Sequence, residues 1–230
     1  KNTGLGSGAD DVGAADVELQ LNGRLQVRTA AAEIGQGLVT TLQLIAAEVF
    51  ARDPEDVDVL VMDTDLTPDS GPTTASRQTF VTGGAALLAA KELRQHILTY
   101  LAVLWNVEPG VISFNAEGAR SELPEMTAAA YTHRMRWDEI AALMEASPAG
   151  RSIRRAYHAP ETSPLGESGP IHFAYSFSAQ AVEIEVELES GRVRVLRVIS
   201  ANDAGRVLNP LGFQGQVEGG VIMGLGHALM

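Results

Sequence analysis

Three stretches of the chain combine small residues with side chains that both donate and accept hydrogen bonds. They are AAEIGQGLVTTL (31–42), PTTASRQT (72–79) and NPLGFQGQVEGG (209–220). Glycine lets a ligand approach the backbone closely, and the free N–H groups of a helix's first turn attract anions. A glutamine amide adds both a donor and an acceptor. We therefore predict that the three stretches bind one anionic cofactor from several sides.

Each stretch also has a simpler interpretation. Gly35-Gln36-Gly37 could form a tight turn with its glutamine in solvent. The hydroxyl-rich loop 72–79 could be an ordinary turn, since Ser, Thr and Pro are common turn residues. In the third stretch, Gln216 and Glu218 precede Gly219-Gly220, and these glycines could instead serve close helix packing. The ordered set of three favours a cofactor site more strongly than any single member.

Other motifs with known chemistry are not predicted to be functional. GLGSG (4–8) lacks the preceding strand and the last glycine of the dinucleotide fingerprint. Asp63 and Asp65 could bind a cation or simply be solvated at a strand end. The five histidines show no zinc-ligand spacing, and the absence of cysteine excludes thiolate ligands and a cysteine nucleophile. We therefore predict no metal ligand from the protein itself.

The composition limits the class of protein. A chain of 230 residues with 45% apolar and 20% charged residues is typical of a soluble globular protein with one large or two small domains. The net charge of −12 argues against a nucleic-acid partner and requires local donors for any anionic ligand. No apolar run approaches the ~18 residues that a membrane span needs.

Hairpins and helices are predicted to position the three stretches. Asn22-Gly23 between alternating runs predicts a hairpin of strands 15–21 and 24–29. Helical periodicity then begins at Leu38 and stops before Asp53-Pro54. The remaining predicted elements are a strand (57–63), a loop (64–78), a helix (about 84–104), short strands and loops (111–130), a helix (137–145), a surface connection (146–170), a second hairpin (181–189 with 192–200) and a helix from Val217 to Met230.

This order of elements predicts an α+β fold. Hairpins are followed by helices and few βαβ units are evident, which favours hairpins and a mixed sheet packed by helices. Because the chain opens on Lys1 and stops at Met230 inside an apolar pattern, we expect a piece of a longer polypeptide, whose targeting signal is not visible.

In this order and context, the motifs resemble the molybdenum hydroxylases, the xanthine dehydrogenase and aldehyde oxidase family. The resemblance lies in EIGQG leading a helix, PTTAS before a long Ala-rich helix, and the block at 203–229, and KNTGLG also looks like a family segment. It runs through all 230 residues and is weakest across 110–165. It implies a fragment, residues 1–230, of the C-terminal half of the molybdenum-cofactor-binding region of the catalytic subunit, with sub-lobes 1–125 and 126–230.

The resemblance also implies a cofactor and the residues that hold it. In this family a pterin dithiolene holds the molybdenum, which agrees with the lack of cysteine. Carried over by motif position, the residues that would contact the pterin or its phosphate are Gly35, Gln36 and Gly37. Those that would line the other side are Ala75, Ser76 and Gln78, and Gln216 would reach toward the metal end. Relatives often carry Ser at the position of Gln78, so its role departs from the family pattern.

The implied cofactor is molybdenum–molybdopterin, in its dinucleotide form if the source is bacterial. Iron–sulfur centres and FAD would lie on other domains or subunits. The implied partners are therefore those redox modules, the remaining part of the molybdenum subunit and a small-molecule substrate, in the cytoplasm.

The implied reaction is hydroxylation of an N-heterocycle or aldehyde, with water as the oxygen source. The family's glutamate base lies beyond the position of Met230, so we expect no catalytic residue and no turnover from this chain alone. Glu33 and Glu218 occupy cofactor-loop positions and are not substitutes. Two alternatives stay open: a family member that acts on carbon monoxide or an acyl-CoA, and a cofactor-free scaffold that retains the fold.

Overall fold

A computed structural model of the protein describes residues 2–121 and 133–230. The strands in this part of the chain are β1 (Asn2–Thr3), β2 (Val12–Leu19), β3 (Leu25–Thr29), β4 (Val57–Val61), β5 (Ile112–Phe114), β6 (Gly118–Ser121), β7 (His133–Arg136), β8 (Ser152–His158), β9 (Ala174–Tyr175), β10 (Phe177–Val186) and β11 (Val193–Asp203). The helices are α1 (Leu38–Phe50), α2 (Val81–Trp105), α3 (Trp137–Glu145) and α4 (Pro210–Leu229).

A four-stranded sheet in the order β4-β3-β2-β8 carries the main core. β2 is antiparallel to both β3 and β8, whereas β3 and β4 are parallel and joined by α1. Side chains that alternate along β2 and β3 point to one face and are fully buried, as the period of two along a strand requires. These are Ala15, Val17, Leu19, Leu25 and Val27. α1 and α2 cover this face with the buried Leu42, Phe50, Leu93 and Ile97.

A smaller sheet, β5-β6-β7, joins the core through an aromatic cluster. Trp137, the first residue of α3, stacks on Phe114 with ring centroids 5.3 Å apart and meets Phe50 edge-on at 5.7 Å. Its Nε1 donates to the carbonyl of Asn115 at 3.0 Å. Trp137 therefore connects the small sheet to α1.

The last part of the chain is a long hairpin and a helix. β10 and β11 pair from Phe177 opposite Asp203 to Val186 opposite Val193. α4 follows, and none of its residues is buried. No helix within the described residues is long and apolar enough to cross a membrane.

Most of the predicted elements are confirmed. The first hairpin, α1, α2, α3 and the second hairpin form where the sequence predicts them, and the fold is α+β. Residues 122–130 of the predicted mixed region lie outside the described residues. The boundary between the sub-lobes 1–125 and 126–230 also lies there and stays a prediction, although β8 pairs with β2 across it.

Two predictions are wrong. The segment 146–170 is not only a surface connection, because its residues 152–158 form β8. Its prolines and glycines flank this stretch, which itself contains neither. The last helix begins at Pro210 rather than Val217, since Asn209 caps it by accepting a hydrogen bond from the Gly212 N–H at 2.9 Å. A proline in the first helical position is favourable, so this Asn-Pro pair starts a helix instead of making a turn.

Candidate cofactor-binding site

The first predicted loop is an open glycine turn between β3 and α1. Gly35 and Gly37 have φ values of 91° and 83°, in the left-handed region that favours glycine. Among the described residues, a Cβ added at either position would meet nothing within 4 Å. This part of the chain therefore leaves room beside the turn for a ligand.

Glu33 closes the start of α1 with its own carboxylate. Its Oε1 accepts hydrogen bonds from the N–H groups of Gly35 at 2.8 Å and Gly37 at 3.1 Å, and its Oε2 accepts from Val39 N–H at 3.0 Å. Partial burial acts to raise the pKa of Glu33, but the hydrogen bonds from these backbone amides outweigh it and hold the pKa below its ordinary value. The expectation of free N–H groups at this helix start is therefore wrong.

This carboxylate makes the turn sensitive to pH. Because the folded-state pKa of Glu33 is lowered, its stabilisation is full above the ordinary glutamate pKa and is lost as the pH falls through the lowered value. We expect Glu33→Gln to weaken the first turn of α1 by about 0.5–2 kcal/mol at neutral pH, as for other lost helix caps. Hydrogen exchange of these amides in the full-length polypeptide, corrected for intrinsic rates, measures this.

Glu48→Gln is the matched control for this prediction, since Glu48 lies exposed on the same helix. It should leave exchange in the first turn unchanged at every pH. In Glu33→Gln, the acid-dependent loss of protection should disappear. If this variant keeps the wild-type pH dependence, the Glu33 carboxylate is not what holds the turn.

Gln36 is oriented by its own loop. Its Oε1 accepts from Ile34 N–H at 2.6 Å, and its Nε2 donates to the carbonyl of Ala32 at 2.8 Å. A glutamine amide has two N–H groups and two lone pairs on its oxygen, so one donor and one acceptor remain for a ligand. The side chain is half-buried. Gln36 therefore lies in a fixed orientation and keeps half of its hydrogen-bonding capacity.

The second predicted loop is joined directly to the first. Thr73 Oγ1 accepts from the N–H of Ala32 at 2.8 Å, and the Ala32 carbonyl is the acceptor of Gln36. A second hydrogen bond, from Ala30 N–H to the Pro68 carbonyl at 2.9 Å, lies just before this contact. The structure thus brings two of the three predicted stretches together.

Ala75 and Ser76 form a tight turn at the tip of the second loop. Their φ values are 50° and 52°, and Arg77 N–H donates to the Thr74 carbonyl at 3.1 Å. Left-handed φ at both central residues is the pattern of a type I′ turn, which normally contains Asn or Gly. Ser76 is exposed, and its hydroxyl makes no hydrogen bond to the part of the chain that the structure describes.

Gln78 lies behind this turn. It is only 7% exposed, and its Nε2 donates to Thr73 Oγ1 at 2.7 Å while its Oε1 accepts from the Thr82 hydroxyl. Both ends of the amide therefore bind within the loop and the start of α2. Direct contact of Gln78 with a cofactor stays a prediction, and it would require these hydrogen bonds to rearrange.

Arg77, in the second loop, makes contacts that were not predicted from the sequence. It is fully buried, and its Nε donates to Asp11 Oδ1 at 2.6 Å. Its remaining nitrogens donate to the carbonyls of Ser70 at 2.8 Å, Pro72 at 3.0 Å and Val12 at 2.6 Å. The signal in the sequence was a single guanidinium inside a loop of small and hydroxylated residues, but its acidic partner lies 66 residues away.

The third predicted stretch is mainly helix. Gln216 is exposed in the second turn of α4, and Gly219 and Gly220 would have open space around an added Cβ. Within the described residues, no hydrogen bond joins α4 to either of the other two loops. The structure therefore joins the stretches that contain Gln36 and Ser76 by a hydrogen bond, and no hydrogen bond within the described residues joins the stretch that contains Gln216 to them.

Comparison with known proteins decides the family. The chain matches the family described as "Molybdopterin cofactor-binding domain" over residues 1–230. The chain belongs to this family. The resemblance inferred from the sequence is thereby confirmed, and so is the class of cofactor.

The chain is similar to two curated relatives and to one solved structure, as follows. It is 32% identical to a probable xanthine dehydrogenase subunit of Bacillus subtilis (strain 168), over 99% of this chain and 29% of that protein. It is 30% identical to "Aldehyde oxidoreductase molybdenum-binding subunit PaoC" of Escherichia coli (strain K12), over 94% of this chain and 26% of that protein. A structure titled "Reconstituted CO dehydrogenase from Oligotropha carboxidovorans" has a TM-score of 0.76 at 22% identity. The match covers 96% of this chain and 27% of that one.

The chain thus spans less than a third of the length of these proteins. The residues present fit the cofactor that the family name implies. Within the described residues, an added Cβ at Gly35 or Gly37 meets nothing within 4 Å, Gln36 keeps one donor and one acceptor for a ligand, and Ser76 is exposed. Within residues 2–121 and 133–230, no group of three or more His, Asp or Glu side chains lies together as metal ligands.

Proposed function

We propose that this chain holds the molybdopterin cofactor of an oxidoreductase that hydroxylates an N-heterocycle or an aldehyde, with water as the oxygen source. The observation that carries the proposal is the hydrogen-bonded junction of the two loops at Ala32 and Thr73. This junction supports the proposal that one ligand contacts both the Gly35-Gln36-Gly37 turn and the Ala75-Ser76 turn. Relatives named as xanthine dehydrogenase and aldehyde oxidoreductase support the substrate class.

Each predicted residue has a role in this proposal. Gly35 and Gly37 let the cofactor approach the backbone, and Gln36 binds it through its remaining donor and acceptor. Ala75 and Ser76 line the other side, and Gln78 supports them from behind. Gln216 binds the metal end. When bound, the cofactor supplies the redox chemistry, and the protein supplies its position and surroundings.

The length and names of the relatives support the proposed partners. One relative is described as the gamma subunit of the 6-hydroxypseudooxynicotine dehydrogenase complex of Paenarthrobacter nicotinovorans. We include in the proposal the rest of a molybdenum subunit, iron–sulfur and flavin domains or subunits, and a cytoplasmic location. Co-purification of the full-length polypeptide followed by iron and flavin analysis tests these partners.

A second candidate function is oxidation of carbon monoxide by a related enzyme. The carbon monoxide dehydrogenase structure has the same fold at 22% identity, and this likeness does not distinguish between the two candidates. An assay of the full-length enzyme with carbon monoxide, an aldehyde and a purine, each with an artificial electron acceptor, separates the two candidates.

The first experiment measures molybdenum and oxidised-pterin fluorescence in the full-length polypeptide from a cofactor-competent host. The proposal expects both near one per polypeptide. A well-folded polypeptide that contains neither molybdenum nor pterin would contradict the proposal, and the cofactor-free scaffold would remain as the interpretation.

Two glutamines test which residues hold the cofactor. We expect Gln36→Ala and Gln216→Ala to weaken cofactor retention about tenfold each, since a polar group of the bound cofactor left without its partner costs about 1–3 kcal/mol. Gln95→Ala is the control, because Gln95 lies exposed on α2 and its Nε2 donates to the neighbouring Thr99 hydroxyl. Molybdenum per polypeptide after dialysis is the measurement, and retention equal to that of the control would exclude the residue concerned.

A further inference from the structure

We propose that Arg77, held by Asp11, is a positioning residue that keeps the Ala75-Ser76 turn in the conformation that presents the Ser76 hydroxyl to the cofactor. The inference rests on the proposed function, and it concerns a residue that does not itself touch the ligand. Its basis is the geometry of the turn and of the buried guanidinium directly behind it.

The turn needs an external support. Residues with a Cβ disfavour left-handed φ, and here two such residues in succession adopt it, at 50° and 52°. The type I′ turn prefers Asn-Gly, which would adopt the same backbone without strain. Strained backbone of this kind persists only where the surrounding structure imposes it. An Ala-Ser pair at this position therefore requires contacts that hold both ends of the turn.

Arg77 supplies those contacts. It is the residue immediately after Ser76, and its guanidinium donates back to the carbonyls of Ser70 and Pro72, which precede the turn. One side chain thus closes residues 70–77 into a ring. Gly71 leaves space for the guanidinium, since a Cβ at this position would lie 3.2 Å from Arg77 Nη2.

Asp11 anchors the same ring to the sheet and to the start of the chain. Its Oδ1 accepts from Arg77 Nε, and its Oδ2 accepts from the N–H of Leu5 at 2.8 Å. The neighbouring Gly4 N–H donates to the carbonyl of Ala75 at 3.1 Å. Asp11 therefore holds both the guanidinium behind the turn and the segment that bonds to the turn directly.

Arg77 is unsuited to contact the cofactor itself. Its side chain has no exposed area, and its Nε, Nη1 and Nη2 donate to four acceptors of the protein. Any effect of Arg77 on the cofactor must then pass through the turn. This distinguishes it from Ser76, which is exposed at the tip.

A double-mutant cycle in the full-length polypeptide tests the inference. The variants are S76A, R77K and S76A/R77K, and the measurement is the rate of molybdenum and pterin loss during dialysis. Lysine keeps the charge but cannot reproduce the planar fork of donors. We expect each single variant to lose cofactor about tenfold faster, and R77K to add less than twofold in the S76A background, since residues that act through one contact are not additive.

Two further variants keep the test decisive. If R77K does not give a folded polypeptide, D11N takes its place in the same cycle, because asparagine keeps the size and one acceptor of Asp11. R154K is the control: Arg154 pairs with Asp16 at 2.6 Å on the same sheet but lies far along the chain from the turn. We expect R154K to leave cofactor loss at the wild-type rate.

The outcomes separate this inference from the proposed function. A wild-type polypeptide without molybdenum and pterin overturns both. A loaded wild type in which the effects of S76A and R77K simply multiply overturns the role of Arg77 and leaves the proposed function standing. If the wild type contains cofactor and R77K loses it no faster than R154K does, the role of Arg77 is likewise overturned and the proposed function stands.

Discussion

Replacement of Trp137 by alanine should lower the local stability of the contact between α1 and α3 by about 3–5 kcal/mol, the range for buried aromatic residues. The side chain is 3% exposed and lies between Phe50 and Phe114. The guanidinium carbon of Arg52 lies 5.2 Å from the centre of its ring, and its Nε1 donates to Asn115. Removal of the indole therefore leaves a cavity, an unpaired carbonyl and a cation without its aromatic partner.

Hydrogen exchange in the full-length polypeptide measures this effect, through the amides of α1 and α3. The other tryptophan is the matched control, because Trp105 is only half-buried and stacks on His133 at 5.3 Å. Trp105→Ala should leave the protection of α3 close to that of the wild type. Unchanged protection in Trp137→Ala would mean that the aromatic cluster does not connect the small sheet to the core.

Replacement of Gly13 by valine should both destabilise the fold and reduce cofactor loading. A Cβ at Gly13 would lie 3.1 Å from Ser70 Oγ, from Val81 Cγ1 and from the backbone nitrogen of Thr82. Extra carbons in a well-packed region cost about 1–3 kcal/mol. Here they would displace the hydroxyl pair of Ser70 and Thr82, 2.8 Å apart, on which Gln78 and the second loop rest.

Gly110→Val is the control for this substitution, since an added Cβ at Gly110 meets none of the described residues within 4 Å. Molybdenum per polypeptide and the thermal unfolding midpoint are the two measurements. We expect both to fall in Gly13→Val and neither to change in Gly110→Val. A fall in the midpoint with full molybdenum content would show that the second loop tolerates a shift of the start of α2.

The elements that position the site could be predicted because each has a local signal. The period of the apolar residues from Leu38 onward determines which face of α1 is buried, and Asn22-Gly23 determines the first hairpin. β8 was missed because an edge strand has little apolar alternation, and only Ile153 within it is buried. The start of α4 was missed because Asn-Pro is favourable both in turns and at helix starts, and the two interpretations share one pattern.

The candidate site was predicted as a set of residue types, and its contacts were not. Motif order alone points to Gln36 and Ser76. No local pattern shows that Glu33 folds back onto the amides of its own turn, because this depends on the left-handed φ of Gly35 and Gly37. Nor does spacing along the chain tell which acid neutralises Arg77, because Asp11 reaches it only after β2 and the second loop have packed together.

The pairing of β2 with β8 joins parts of the chain that are far apart in sequence. The two strands contact each other over seven residue pairs, from Val12 opposite His158 to Glu18 opposite Ser152. The N–H of Ala159 also donates to the carbonyl of Asp11, the residue that anchors Arg77. Contacts so distant in sequence form late, since the entropy of closing the intervening chain must be overcome first. During synthesis, the loops at 31–37 and 72–78 emerge before the strand that pairs with β2, and we expect the cofactor to bind only after residues 152–159 have been made and have paired.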